Sequence, residues 1–307
     1  MGLGRPPRND VHARRVRLRD REPALNVDPG CRLLARGPFL PGEVTTRVVG
    51  EPRPTTPELE IHIERTWRAA LAKAEEHGQH LFDGDVLRWV RAIVHGAYEG
   101  RRLELIVAPG KYREFVGTNL DPELRPDFGP DRASDLPASV HPWSHFANSV
   151  GTSAVVVTTD GVLVAGRRSA RVLGYAGCVH AFGGMLEAAD VTGDGATTGA
   201  VDAFGGLARE LVEELGVRAE EISAPVLEGV ILEPQIWQPE LIFHARVART
   251  FAGLVDAWSG AVHRDEHDEL IAFPLVPEDP EAELRREAPV SPIGRAALAL
   301  YWSRRGG

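Results

Sequence analysis

The string RELVEELGV at positions 209–217 constrains the fold of this chain more than any other sequence feature. Its glutamates are spaced i, i+3 and i+4, which places three carboxylates on one face of a helix and the leucines on the other. Gly216 stands where helices commonly end in a left-handed residue. Clustered carboxylates repel one another, so such a face either is exposed to solvent or holds a hard cation such as Mg²⁺, which prefers oxygen ligands. The three glutamates are Glu210, Glu213 and Glu214, and Arg209 can pair with one of them.

Strand and helix patterns alternate along the rest of the chain. Residues 57–77 predict a helix capped by Thr55 or Thr56, and its apolar face is formed by Leu59, Ile63, Trp67, Ala70 and Leu71. The other predicted elements are short strands and loops in 1–56, two strands within 86–109, a short helix over 111–117, a hairpin over 152–168, a helix at about 202–216, strands near 226–232, 240–248 and 269–275, and a last helix within 292–305. This alternation predicts α/β layers in the C-terminal half.

The clearest candidate for a domain boundary is a proline-rich stretch. Residues 120–142 carry five prolines among Asp and Arg residues, a composition typical of a linker or a long loop. The predicted fold class is α/β (α+β), with a smaller N-terminal α+β domain over residues 1–142 and an α/β/α sandwich with a mixed sheet over residues 143–307.

Composition narrows the possible partners. The formal net charge of −9 disfavours nucleic acids and anionic membranes, because both are bound mainly through Lys and Arg. No stretch approaches the roughly 20 apolar residues that a membrane helix needs. The two cysteines, Cys31 and Cys178, allow no disulfide framework, and they predict buried side chains in a reducing compartment, the cytoplasm. A phosphate substrate would require a local Arg cluster or a divalent metal to offset its charge.

The string at 209–217 resembles the second half of the Nudix box, G-x5-E-x7-R-E-U-x-E-E-x-G-U, in which U is aliphatic. Gly183 and Gly184, within the string AFGGMLE, supply the first half. Relative to that pattern the chain carries 11 extra residues, 191–201. Because of this insertion, the pattern no longer supports a function for Glu187 or Asp190. The sequence offers no reason for the 11 extra residues.

Further segments resemble the Nudix-type UDP-glucose (UDP-sugar) diphosphatases. They are the string YREFVGTN at 112–119, the enlarged gap within the box, and the C-terminal segment that begins at Ser291-Pro292. In that subfamily an N-terminal domain packs on the Nudix domain and helps to form the sugar-nucleotide site. The resemblance therefore implies that Tyr112, Thr118 and Asn119 lie at or near the substrate.

The resemblance also implies a Mg²⁺-dependent hydrolysis, with Mn²⁺ as a possible substitute. The implied metal ligands are Glu210, Glu213 and Glu214, and with Arg209 they form the implied catalytic set. Substrate contacts are implied for Arg167, Arg168 and Ser169 after the hairpin, and for the backbone at Gly183 and Gly184. Glu240 and Glu266 are candidates for an extra ligand or a general base.

The implied substrate is UDP-glucose or UDP-galactose, which would give UMP and a sugar 1-phosphate. Three alternatives stay open: a Nudix diphosphatase for ADP-ribose, a dinucleotide or coenzyme A; a Nudix-fold sensor that binds a nucleotide sugar without cleaving it; and a nucleic-acid regulator. The acidic charge and the lack of a basic recognition helix weigh against the last of these. Protein partners cannot be inferred from the sequence.

Overall fold

The computed structural model shows a mixed α/β protein with two mixed sheets, which confirms the predicted fold class. It describes residues 31–78, 81–96, 100–121, 123–124, 144–172, 174–192 and 199–305. The strands are β1 Arg32–Phe39, β2 Val44–Val48, β3 Asp85–His95, β4 Arg102–Lys111, β5 Gly151–Val157, β6 Val162–Arg168, β7 Val179–His180, β8 Val191–Thr192, β9 Ala200–Val201, β10 Ile222–Leu232, β11 Pro239–Val247 and β12 His267–Pro274. The helices are α1 Pro57–Glu76, α2 Tyr112–Val116, α3 Ala203–Leu215, α4 Phe251–Trp258, α5 Pro280–Arg286 and α6 Pro292–Ser303.

The larger sheet forms the centre of the C-terminal half. Its strand order is β1-β10-β11-β5-β6-β12, and β7 pairs with β6. Strands β11 and β5 run parallel, and the other pairs in this sheet are antiparallel. All seven residues of β5 are buried. A strand covered on both faces is expected to be largely apolar, which explains the run of apolar residues at 154–157 in its second half.

Helices cover both faces of this sheet. Leu207, Leu211 and Leu215 of α3 share a buried cluster with β5 and β11, and α4 adds to the same cluster. Helix α6 packs on the opposite face through a second cluster that includes Leu298. Helix α3 begins at the N-cap Asp202, whose side chain accepts a hydrogen bond from Gly205 N, and it ends at the left-handed residue Gly216 (φ 64°). The predicted α/β/α arrangement is therefore present.

The smaller sheet, of order β3-β4-β2-β9-β8, combines strands from both halves of the chain. Strands β8 and β9 belong to the insertion at 191–201, and Ala200 of β9 pairs with Arg47 of β2. Conversely, β1 pairs with β10 of the larger sheet. Each half therefore contributes strands to the sheet of the other. Most of the predicted linker lies outside the described residues, so the boundary between 142 and 143 stays a prediction.

Most predicted helices and strands are present in the structure, but several details differ from the predictions. Leu71 is 37% exposed and Ala74 takes its place on the buried face of α1, because the helix packs through one narrow stripe. Helices α4 and α5 have no counterpart among the predictions, although Thr250 and Asp279 cap them. Cys31 and Cys178 form no disulfide, and both are partly exposed rather than buried. Among the described residues, no helix has the length and apolar character needed to cross a membrane.

Glu221 provides a pH-dependent link between β10 and β11. Its Oε2 atom accepts hydrogen bonds from the backbone N of Arg218 (2.9 Å) and from Nη2 of Arg249 (3.0 Å). These donors lower the pKa of Glu221 from 4.5 to about 2, with the backbone hydrogen bond as the largest cause. Because the folded-state pKa lies below the unfolded value, the stabilisation is present above about pH 4.5 and is lost as the pH falls towards 2.

We therefore expect Glu221→Gln to unfold at a lower temperature than the wild type at pH 7, and the difference to shrink below pH 4. Thermal unfolding followed by circular dichroism at several pH values measures both effects. Glu220→Gln removes the same charge from an exposed neighbour and serves as the control. A difference between Glu221→Gln and wild type that is the same at every pH would contradict this account.

Candidate active site

The acidic face of α3 is buried, which excludes the solvent-exposed alternative. Glu210 is 7% exposed and Glu214 only 1%, whereas the side chain of Glu213 is 30% exposed. A carboxylate is rarely buried unless it is paired or binds a metal, because removing its charge from water is costly. Two of the three glutamates thus have the environment of a functional cluster.

Burial changes the ionisation of these side chains. It is the largest cause of the rise in the pKa of Glu210 to about 8, and the negative charges of Glu214 and Glu213 add to it. Burial also raises the pKa of Glu214 to about 8. A divalent cation between these groups would favour their charged forms, since an opposite charge lowers a carboxyl pKa.

Arg209 connects the helix to a second pair of acidic residues. Its Nη1 atom lies 2.9 Å from Glu210 Oε1 and 3.4 Å from Glu213 Oε2. Its Nη2 atom lies 3.5 Å from Asp190 Oδ2 and 3.9 Å from Glu187 Oε2. The structure therefore brings to the site two residues to which the sequence assigned no role. Surrounded by acids, Arg209 has a raised pKa.

The insertion is closed at its base, which explains how Glu187 and Asp190 keep their place. Val191 pairs with Val201 in the β8–β9 ribbon, and Asp202 N donates a hydrogen bond to Asp190 O at 3.0 Å. The chain thus leaves and returns at the same point, immediately before α3. Spacing along the sequence could not reveal this. The insertion increases the number of residues between Asp190 and Arg209, whereas their side chains remain paired in space.

The loop at Gly183 and Gly184 lies directly against the acidic helix. Gly183 N donates a hydrogen bond to Glu214 Oε2 at 3.1 Å, and Gly183 has a φ of 148° that disfavours other residues. A Cβ atom on Gly184 would lie 2.5 Å from Glu210 Oε1. The absence of side chains therefore allows the backbone to approach the carboxylates closely.

The three residues predicted after the hairpin have different environments. Arg168 lies 4.0 Å from Glu266, and its charge opposes the rise in the pKa of Glu214. Arg167 instead pairs with Glu269 and Glu287, each at 3.3 Å. Successive residues of a strand point to opposite faces, which accounts for the divergence of the two arginines. Ser169 is buried, and its Oγ atom accepts a hydrogen bond from Arg171 N. Arg168 is thus the one of the three beside the acidic helix.

Glu240 and Glu266 have different surroundings: Glu240 is buried, whereas the side chain of Glu266 is 34% exposed. Glu266 has a raised pKa because of burial and the nearby charge of Glu214, and Arg168 opposes this rise. Glu240 accepts a hydrogen bond from Ser153 Oγ at 2.6 Å, and burial raises its pKa to about 8. Glu266 is therefore directly coupled to the helix carboxylates.

Two histidines at the site have no sequence signature and were not predicted. His267 Nε2 lies 3.3 Å from Glu214 Oε2, and burial lowers the pKa of His267 to about 4. His263 Nδ1 lies 3.7 Å from Glu213 Oε2 and 3.9 Å from Glu266 Oε1. Single histidines outside a motif carry no signal, and only the fold brings them to the acidic helix.

The three N-terminal candidates have two different environments. Tyr112 is half-buried, its ring meets Trp67 edge-on at 6.3 Å, and the charges of Arg168 and Glu266 affect its pKa, which burial raises. Thr118 and Asn119 are fully buried. Thr118 Oγ1 accepts a hydrogen bond from Ala147 N (3.0 Å), and Asn119 Nδ2 donates one to Ile236 O (2.9 Å). These contacts join neighbouring segments, and direct contact of Thr118 and Asn119 with a substrate stays a prediction.

The donor set suits a hard divalent cation. Carboxylate oxygens, the ligands that such cations prefer, lie on α3 directly against the glycine loop, where a Cβ atom on Gly184 would overlap Glu210. Within the described ranges, no three His, Cys, Asp or Glu side chains already surround one point at metal-binding distances. Mg²⁺ commonly binds to a few carboxylates and completes its shell with water and substrate phosphate. The residues therefore fit a site that the substrate helps to complete.

Solved structures similar to this chain include Nudix hydrolases. A MutT Nudix hydrolase from Burkholderia pseudomallei is 21% identical, with 49% of this chain and 95% of that chain covered and a TM-score of 0.31. A MutT protein from Methanosarcina mazei is 15% identical (52% and 96% covered, TM-score 0.33), and the M. smegmatis Nudix hydrolase RenU is 14% identical (51% and 81% covered, TM-score 0.30). No protein-family model and no curated protein matches the chain. Any functional assignment therefore rests on the side chains of this chain.

Proposed function

We propose that this protein is a Nudix diphosphatase that uses Mg²⁺ or Mn²⁺ to hydrolyse a nucleoside diphosphate sugar. The preferred substrate is UDP-glucose or UDP-galactose, and the products are UMP and the sugar 1-phosphate. The observation that carries the proposal is the pair of buried carboxylates, Glu210 and Glu214, packed against the Gly183-Gly184 loop. Isolated buried carboxylates are costly, and a bound cation would compensate for that cost.

Each side chain of the cluster has a distinct role in the proposed reaction. Glu210, Glu213 and Glu214 would hold the metal, and Arg209 keeps Glu210 and Glu213 in place through its ion pairs. When bound, the metal would neutralise charge on the diphosphate and lower the pKa of the attacking water. Arg168 would pair with a phosphate oxygen, and the loop backbone would approach the phosphate because no side chain blocks it.

The proton of the attacking water needs an acceptor. Glu266 is the better of the two candidates, because it lies beside Arg168 and is electrostatically coupled to Glu214. Glu240 already accepts a hydrogen bond from Ser153. Water would attack one phosphorus of the diphosphate, and the phosphate monoester on the other side would leave.

The preference for a nucleotide sugar rests on the N-terminal side of the site. Tyr112 lies within range of the charges of Arg168 and Glu266, and its ring would contact the part of the substrate beyond the diphosphate. β3 also reaches the site, because Val86 forms a β-bridge with Glu187. We propose small-molecule substrates only, without nucleic acid, and the cytoplasm stays the predicted location.

The test is incubation of the purified full chain with UDP-glucose and Mg²⁺, followed by chromatographic separation of the products. We expect UMP and glucose 1-phosphate in equal amounts, and we expect both to disappear when EDTA is added. If UMP is not formed, ADP-ribose, dinucleotides and coenzyme A are the next substrates. Tight binding of UDP-glucose without turnover of any substrate would instead favour a sensor.

A further inference from the structure

His267 occupies a closed position at the start of β12. Its side chain is 0% exposed, and its backbone pairs with Arg168 of β6. The ring of Phe182 meets the imidazole edge-on, with 5.1 Å between the ring centroids. A Cβ atom on Gly166 would lie 2.3 Å from His267 Nδ1, so the glycine provides the space that the ring occupies. The imidazole is thus held in one orientation by a sheet and two neighbours.

Packing alone does not explain why a histidine occupies this position. Among the described residues, His267 Nδ1 is buried and has no hydrogen-bond partner. A buried polar atom without a partner costs free energy, and an apolar side chain of similar size would fill the same space without that cost. The other ring nitrogen, Nε2, points at Glu214. The Nε2 contact is therefore the feature that accounts for a histidine here.

The two described hydrogen bonds to Glu214 reach the same oxygen. Gly183 N lies 3.1 Å from Oε2 and His267 Nε2 lies 3.3 Å from it. No described residue donates a hydrogen bond to Oε1. An ionised carboxylate can only accept hydrogen bonds, so Nε2 carries the hydrogen when Glu214 is charged. The pair of donors therefore fixes Oε2 and leaves Oε1 available.

We propose that His267 is a positioning residue that holds the carboxylate of Glu214 so that Oε1 binds the metal. This inference rests on the proposed function, because it assumes a metal at α3. Groups that hydrogen-bond to a metal ligand restrict its orientation and increase metal affinity. Because its side chain is fully buried, His267 would act through Glu214 alone.

Metal affinity measured without substrate tests this proposal. Mn²⁺ is titrated into the full-length protein, and free Mn²⁺ is followed by electron paramagnetic resonance. We expect His267→Leu to bind Mn²⁺ about 10–100-fold more weakly than wild type. His267→Gln is the matched control, because its amide nitrogen can replace Nε2 as the donor, and its affinity should approach that of wild type.

Parallel thermal unfolding separates positioning from packing. If His267→Leu does not fold, His267→Asn replaces it, since the shorter amide cannot reach Glu214 and should weaken Mn²⁺ binding where Gln does not. A folded Leu or Asn variant with wild-type Mn²⁺ affinity would overturn the positioning role alone. Wild-type protein that binds no Mn²⁺ would overturn the proposed function, and the positioning role with it.

Discussion

Replacing Glu214 by Gln is expected to lower the metal-dependent hydrolysis rate by about 1,000-fold, which corresponds to about 4 kcal/mol of transition-state stabilisation. The neutral amide keeps the shape of the side chain but is a poor ligand for a hard cation. It also removes a buried acid whose pKa is raised to about 8 by burial, so the variant should unfold at the same temperature as the wild type or at a higher one. Activity should therefore fall without any loss of stability.

The measurements are steady-state hydrolysis of UDP-glucose at saturating Mg²⁺ and thermal unfolding in EDTA. Glu269→Gln removes the same charge from an exposed position that pairs with Arg167, and its activity should stay within about twofold of wild type, as for most surface substitutions. If Glu214→Gln keeps more than a tenth of the wild-type rate, Glu214 is not a principal metal ligand.

The second large effect concerns the glycine loop. A Cβ atom on Gly183 would lie 1.8 Å from the carbonyl oxygen of Thr152, and φ is already unfavourable at 148°. The obstacle is backbone of β5, which cannot move without disturbing the central sheet. We expect Gly183→Ala to lower the free energy of unfolding by about 3 kcal/mol or more. Denaturant titration measures this loss, provided that the variant can be purified.

Substitutions at two other glycines test whether the stability loss at Gly183 comes from local strain or from replacing any glycine by alanine. At Gly184 the obstacle is the carboxylate of Glu210, the end of a side chain that can turn away, so Gly184→Ala should reduce activity more than stability. At Gly174 a Cβ atom meets nothing within 4 Å, and Gly174→Ala should change stability by less than about 0.5 kcal/mol. Equal stability losses at Gly183 and Gly174 would show that the loop is not strained as described.

Local patterns in the sequence predicted the acidic helix correctly. The spacing of the glutamates, the leucine face and the terminal glycine are all contained within about four helical turns. Helix α3 forms at the position that they predict. The hairpin, the first helix and the last helix follow from the same local physics. The residue spacing could not predict burial of the carboxylates. Whether they face solvent depends on the Gly183-Gly184 loop, whose position is set by the larger sheet.

The residues that were missed depend on long-range geometry. Glu187 and Asp190 reach Arg209 only because the β8–β9 ribbon closes the insertion. His263 and His267 lie more than 45 residues after α3 and carry no motif. Arg167 and Arg168 are adjacent in the sequence but diverge because strand residues alternate between faces. Each of these features requires the pairing of distant segments, which a single sequence does not display.

The exchange of strands between the two sheets also sets an order of events during synthesis. The register of β1 against β10 pairs Arg32 with Leu232, so the partner of β1 leaves the ribosome about 200 residues later. At typical elongation rates that delay is roughly 10–40 s. Throughout that interval β1 has an unsatisfied edge that can pair with other chains. Chaperones that bind extended apolar segments should therefore contact the nascent N-terminal half until β10 has been made.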